Sequence, residues 1–380
     1  MKKMLQVFTG FGRKSEDSPE EIIRRIAECS SRMEVDKIII GWSTEPSVYR
    51  KVGDDLHRHG IKMLLWLPVF SGIPDVFLPD PAIDIFGNPL PVPEVDDSET
   101  FHFVCPSSPL NIQIVRERYE KFFSSCGFDG VFLDRIRTQS FVSGVSGVLS
   151  CACAHCRSLF LRKGVNPDEV RKLYESRKDH FFDIASWPMN GALVLKDPLA
   201  QRFIEVKEQI IADSVCEIAE YFRCRGLIVG LDLFAPVVSR LVGQNYALIT
   251  RNADFIKPML YRRTEAPAGV GYELSLFEKA VPDAVGKIRL DTDAAFLHTQ
   301  LDVIENLPCE KYPGIEINYD KEIVKTDAGY ISESLNAVKA HDFEGAALCR
   351  NIMRAPRKHI NAAALSKNVR SLPYAASAGA

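Results

Sequence analysis

The sequence predicts a single (β/α)8 TIM barrel with long loops after strands three and four. Three observations predict it. About eight short apolar runs recur along the chain, nearly all beside a helical segment, and such alternation implies right-handed crossovers and a parallel sheet that closes at eight units. The length of 380 residues exceeds an ordinary single core but fits one barrel with insertions. A doubly wound open sheet is disfavoured, because Thr9-Gly-Phe-Gly12 after the first run lacks the third glycine and the helix start of a phosphate-binding loop.

Taken in order, residues 5–11 read as the first strand. Ser18, Pro19 and two acids then open a helix over 18–32, with serine as the cap, proline at the first helical position and carboxylates facing the helix dipole. Residues 37–43 form a second strand, 46–60 a helix and 62–70 a third strand. Residues 71–108 are rich in Pro, Asp and Gly without a sustained period, and a loop that long in a compact domain is usually functional. A helix over 109–125 leads to the fourth strand at 131–134. An insertion over 138–197 follows, with a Ser/Gly/Val loop at 138–150 and helices at 155–162 and 167–177, before a helix at 198–223. Strands five to eight are expected at 227–233, 253–261, 312–318 and 345–351. The whole is one catalytic domain over 1–370, with a flexible tail at 371–380.

Composition narrows the function. Hydrophobic residues are 46%, charged residues 26% and the formal net charge is −3, so no large basic field for nucleic acid is expected. No apolar run approaches the ~20 residues that span a bilayer, and the start is too soon polar for a signal peptide, so neither membrane association nor export is expected. The expected location is cytoplasmic, and a homo-oligomer stays open. Six of the ten cysteines are scattered and read as reduced, mostly buried side chains.

The chain is organised around Gly127-Phe-Asp-Gly-Val-Phe-Leu-Asp134-Arg-Ile-Arg137, which reads as a buried strand ending in a carboxylate with Arg135 and Arg137 just after it. Barrels place their chemistry at the carboxyl ends of the strands. Three acids are expected there: Asp134 on strand four, Asp232 on strand five and Glu316 on strand seven. Two carboxylates in different environments suffice to cleave a glycosidic bond, one giving a proton to the leaving oxygen and the other attacking carbon or activating water. Asp134 and Glu316 are the expected pair, with Asp232 third because Lys257 could neutralise it. Trp42, Trp66, Phe70 and Tyr261 fall near strand ends, where flat rings could stack on sugars; Arg13, Arg137, Arg262, Arg263 and Arg350 could orient an anionic or hydroxyl-rich substrate. The rival readings are a sugar-binding barrel without catalysis and a metal-dependent hydrolase or lyase, which would need histidines and carboxylates at the mouth.

Cys151, Cys153 and Cys156 offer three thiolates within a short stretch, and Cys105 lies in the preceding long loop. Four thiolates in tetrahedral geometry make a closed structural zinc (Zn2+) site, which here would staple the loops after strands three and four. His102 or His155 could replace one ligand, and reduced cysteines or a disulfide are the plain alternatives.

In their order and spacing Cys105, Cys151, Cys153 and Cys156 resemble the zinc-containing β-galactosidases of glycoside hydrolase family 42. The strand-four segment with its Asp-Gly, its apolar run, Asp134 and Ile136-Arg137, followed by Cys-x-Cys-x-x-Cys, is similar to bacterial glycoside-hydrolase-like TIM barrels. It also resembles strand four of α-amylase-type enzymes, whose aspartate is the nucleophile. The resemblance implies a glycosidase acting on a carbohydrate. It covers 1–360 at the level of the fold and only two segments at the level of motif. Family 42 carries Asn-Glu at the end of strand four, where this chain has Leu133-Asp134. Its strand-seven nucleophile carries over onto Glu316, with Asp134 as acid/base; an amylase-like scheme makes Asp134 the nucleophile. The family's trimerisation and C-terminal domains have no counterpart here.

Overall fold

Eight apolar runs pair side by side in one parallel sheet, and that sheet closes on itself. A computed structural model of the chain describes residues 1–72, 78–91, 102–187, 193–282 and 291–365. The barrel strands, β1 to β8, are Lys2–Phe8, Val35–Gly41, Lys62–Pro68, Gly130–Asp134, Ile228–Phe234, Phe255–Met259, Gly314–Glu316 and Gly345–Cys349. Each pairs with its neighbour in sequence, and β8 returns to β1 with Leu348 opposite Leu5. The strands are apolar because both faces are covered, by packed side chains inside and helices outside.

Glycine decides one contact. A Cβ on Gly130 would lie 2.3 Å from the Ile228 carbonyl oxygen, so a side chain there would push β4 away from β5. At the same end Asp129 accepts hydrogen bonds from the Met63 backbone N–H (2.7 Å) and His57 Nε2 (3.0 Å), locking the bottom of the barrel.

Helices start where capping chemistry starts them. Ser18 makes a complete capping box for Pro19–Ser30, Ser108 caps Pro109–Phe122 and Asp197 caps Pro198–Arg223, each with proline in the first turn. Four helices of eight residues or more were not singled out from sequence: Val270–Ala280, Ala294–Ile304, Ala328–Ala340 and Arg357–Ala364. Two carried a readable signal, the side-chain caps Asp293 and Asp327.

The bounds differ from expectation most at β6, which has five residues rather than nine, and at β7, which has three rather than seven. Pro313 lacks the N–H that would extend the ladder backward. Beyond Glu316, Asn318 Oδ1 instead accepts the N–H groups of Arg350 (2.6 Å) and Asn351 (2.9 Å). The described parts of the 71–108 loop are tied by isolated bridges, Ser71 to Phe103, Pro81 to Val104 and Asp84 to Ser150. The insertion adds a small hairpin, Ile184–Ser186 with Val194–Leu195. The tail expected at 371–380 lies outside the described residues. No helix among the described residues is long and apolar enough to cross a membrane.

Candidate active site

At the carboxyl mouth, side chains from successive strands converge on one cleft of about 120 Å³. β1 contributes Gln6, β3 Trp66, β4 Asp134, β5 Asp232 and Phe234, and β6 Lys257 and Met259. The two-residue spacing on β5 and β6 is the strand period, which turns alternate side chains inward. Residues just beyond the strands complete the wall: Trp42, Arg135, Arg137, Tyr261, the turn at 266–268 and Arg350. Trp42 and Arg135 hold left-handed backbone, at φ 101° and 53°, an uncommon conformation for residues with a side chain and one that clusters at functional sites.

Asp134 is half-buried and oriented from two sides. Trp66 Nε1 donates to its Oδ2 at 2.8 Å, and the Arg135 N–H donates to Oδ1 at 2.5 Å. Trp66 is held in turn against Trp42 with ring centroids 5.3 Å apart, and Phe8 packs edge-on against both. The aromatic cluster thus fixes the indole that fixes the carboxylate.

Asp232 is buried, and its Oδ2 accepts from Lys257 Nζ at 3.0 Å. Burial pushes its carboxyl up to about 7 against the pull of Lys257, and the neighbouring Asp134 charge adds to the rise. Burial alone would lower Lys257, but the Asp232 carboxylate carries the ammonium above its ordinary range. Lys257 also reaches Tyr261 Oη (3.0 Å) and Gln6 Oε1 (3.3 Å), so three oxygens fix it. Asp232 Oδ1 has no hydrogen-bond partner among the described residues.

Glu316, expected as half of the catalytic pair, is fully buried and does not line the cleft among the described residues. Tyr330 Oη donates to Oε2 at 2.7 Å and the Arg263 N–H to Oε1 at 2.6 Å, while burial raises the carboxyl above its usual range. Its strand is the short one, and the turn after β6 closes over it. Phe70 likewise faces away: it is 1% exposed and absent from the cleft. Trp42, Trp66, Asp134, Arg137, Asp232 and Tyr261 are brought together. Sequence reasoning passed over Gln6 and the turn at 266–268. Gln6 could have been flagged as a polar residue inside an apolar strand. That turn is held by an acid five residues on: the Ala268 N–H donates to buried Glu273 at 3.0 Å.

Beside the cleft, the loops after β3 and β4 meet at four cysteines. The Sγ atoms of Cys105, Cys151, Cys153 and Cys156 all lie within 4.8 Å of one another. Cys153 to Cys105 is 3.2 Å and Cys105 to Cys156 is 3.6 Å. A disulfide needs about 2.0 Å. Metal–sulfur bonds of about 2.3 Å in a tetrahedron set sulfur atoms roughly 3.8 Å apart. The cluster therefore has the spacing of a metal site. The other metal-capable grouping among the described residues, Asp302, Glu305 and His341, lies on the outer helices and not at the mouth.

No protein-family model matches the chain, and no curated protein matches it in sequence. Its fold is shared with solved structures. The glycoside hydrolase domain of PgaB (BpsB) from Bordetella bronchiseptica superposes with a TM-score of 0.62 at 13% identity, over 96% of this chain and 97% of that one. Alpha-L-fucosidase isoenzyme 2 from Paenibacillus thiaminolyticus gives 0.55 at 13% identity, over 94% of this chain and 48% of that one. Alpha-N-acetylgalactosaminidase NagBb from Bifidobacterium bifidum gives 0.50 at 12% identity, over 96% and 50%. The chain spans about half the length of the last two. At these identities the likeness is one of fold: a (β/α)8 barrel.

Proposed function

We propose that this protein is a glycosidase, cleaving a glycosidic bond with Asp134 and Asp232. One observation carries the reading: two carboxylates in unlike environments line one cleft at the catalytic end of the barrel. Asp232, raised to about 7 by burial, holds a proton that it can give to a leaving oxygen near neutral pH. Asp134, held by Trp66 and the Arg135 N–H, presents the carboxylate that attacks the sugar carbon or activates water. Lys257 keeps Asp232 in place and can stabilise it once the proton has left. Trp42, Trp66 and Tyr261 offer ring faces to a sugar. Glu316, the expected nucleophile, here serves as a buried anchor tying β7 to Tyr330 and the turn after β6.

Cys105, Cys151, Cys153 and Cys156 would hold a structural zinc ion. Four sulfur ligands leave no open position, so its contribution is to join the loops after β3 and β4.

The test is hydrolysis of 4-nitrophenyl glycosides of both anomeric forms. Asp134→Asn and Asp232→Asn are each expected to cost roughly 10³-fold or more in kcat, on the scale of losing a catalytic acid or nucleophile. Full activity in either variant refutes the assignment. The fully buried Asp232–Lys257 pair favours a second reading, a barrel that binds sugars without cleaving them. Binding without turnover on the same panel would establish it.

A further inference from the structure

Away from the cleft, two histidines and two acids meet where two outer helices end. Ala294–Ile304 is the helix before β7, and Ala328–Ala340 is the helix before β8. Each runs down into the start of a strand, so both end at the face of the barrel opposite the mouth. On the first helix Asp302 lies four residues after His298, and Glu305, the C-cap, three after that, so all three share one face. His341, the C-cap of the second helix, reaches across to them. One ligand atom each from Asp302, Glu305 and His341 lies within 4.8 Å of the other two.

Three features set this group apart from a solvated acidic face. The acids stand at the wrong end of a helix. A helix C-terminus carries partial negative charge, and no basic residue occupies the last turn of Ala294–Ile304. A second helix C-terminus adjoins it, where the basic residue of the last turn, Lys339, bears on Lys3. The ion-pair partner of Asp302 among the described residues is His341.

The His341 ring is also held in place. Its side chain is 10% exposed and stacks on Phe343 with ring centroids 5.5 Å apart. Its Nε2 lies 3.0 Å from His298 Nδ1, so one of these two nitrogens donates to the other. The other ring nitrogen, Nδ1, faces Asp302 Oδ1 at 3.7 Å. That is too long for a hydrogen bond. It is close to the roughly 3–3.5 Å between two ligand atoms that each lie about 2.1 Å from one ion. When His341 Nε2–H donates to His298, Nδ1 turns a lone pair toward the acids. A metal-bound histidine donates its second ring N–H in this way.

We infer that Asp302, Glu305 and His341 bind a divalent transition-metal ion of the zinc type, His341 through Nδ1. His298 is a positioning residue that accepts the Nε2 hydrogen bond. One imidazole among the ligands suits zinc better than magnesium, which prefers oxygen. The ion ties together the two helices that precede β7 and β8, and takes no part in the chemistry of the cleft. Three ligands on an accessible surface hold it less tightly than four thiolates hold theirs, so dialysis empties this site and leaves the cysteine-bound ion.

The test is calorimetric titration of zinc into the full chain with its cysteine cluster already zinc-filled. One further ion per chain is expected, with Kd roughly micromolar and magnesium at least roughly tenfold weaker. Asp302→Asn, at an exposed side chain, should weaken it at least roughly tenfold, and His341→Gln should abolish it; circular dichroism confirms that both fold. His298→Gln leaves every ligand in place and should weaken it roughly 10–100-fold. Excess zinc should raise Tm in wild type and not in His341→Gln. No second ion at roughly 100 μM free zinc overturns the inference, as does undiminished binding in His341→Gln. Magnesium binding as tightly as zinc overturns it in favour of a plain acidic cluster. Unchanged affinity in His298→Gln overturns the positioning role.

Discussion

Replacing Asp232 by Asn removes one titrating group at nearly constant shape, and its consequence can be worked out. Folding lifts the Asp232 carboxyl from 3.8 to about 7 because burial disfavours its charge. The folded chain therefore holds this proton more tightly than the unfolded chain. The contribution to stability is fully present below 3.8 and is lost as pH rises through about 7. At about 1.4 kcal/mol per unit, ionising this buried acid costs the fold about 4 kcal/mol in all. The chosen window lies between the two pKa values, where the slope is steepest. Between pH 4.5 and 6.5, wild type should lose about 2 kcal/mol relative to Asp232→Asn. Lys257 stays charged across that range and does not disturb the comparison. The assay is urea unfolding of both proteins at several pH values, with hydrolysis rates read on the same samples. If the two stability curves run parallel, Asp232 ionises as an ordinary aspartate. It is then half of a permanent ion pair with Lys257, and its role as proton donor is refuted.

Glu316→Gln keeps one oxygen to accept the Arg263 N–H and turns its NH2 to Tyr330 Oη, which can accept from it, so it should retain at least roughly a tenth of wild-type kcat and cost under about 2 kcal/mol of stability. A loss as deep as that of Asp134→Asn would restore Glu316 to the reaction. Metal analysis should find about one zinc per chain, absent in Cys153→Ser. Chelation should speed proteolysis in the segments around Cys105 and Cys151, and an unchanged digestion pattern would show that the cluster is not a staple. Gly130→Ala forces a Cβ to 2.3 Å from the Ile228 carbonyl, and should destabilise the barrel by ~3 kcal/mol, read as a fall in Tm. An unshifted Tm would mean that β4 and β5 can separate freely.

Local order along the chain was legible because it is written in local chemistry. The eight strands fall on apolar runs, the helix starts carry Ser–Pro and Asp–Pro caps, and a Cys-x-Cys-x-x-Cys stretch with a fourth cysteine before it has few other uses. From those features follow the closed barrel and the cysteine cluster. Asp134 followed too, as the acid ending the fourth apolar run. Which of three strand-end acids faces the cleft was decided by tertiary structure alone. Asp232 and Glu316 look alike in sequence, each following apolar residues at a strand end. β5 runs seven residues and carries Asp232 inward beside Lys257. β7 stops after three, and its glutamate is covered by Tyr330, 14 residues along the chain, and by Arg263, 53 residues back. The acid–base character of Asp232 comes from burial and from neighbours on β4 and β6, so no stretch of sequence holds it. Only the closure of the barrel brings those charges together, in a medium poor enough in water to move a proton equilibrium.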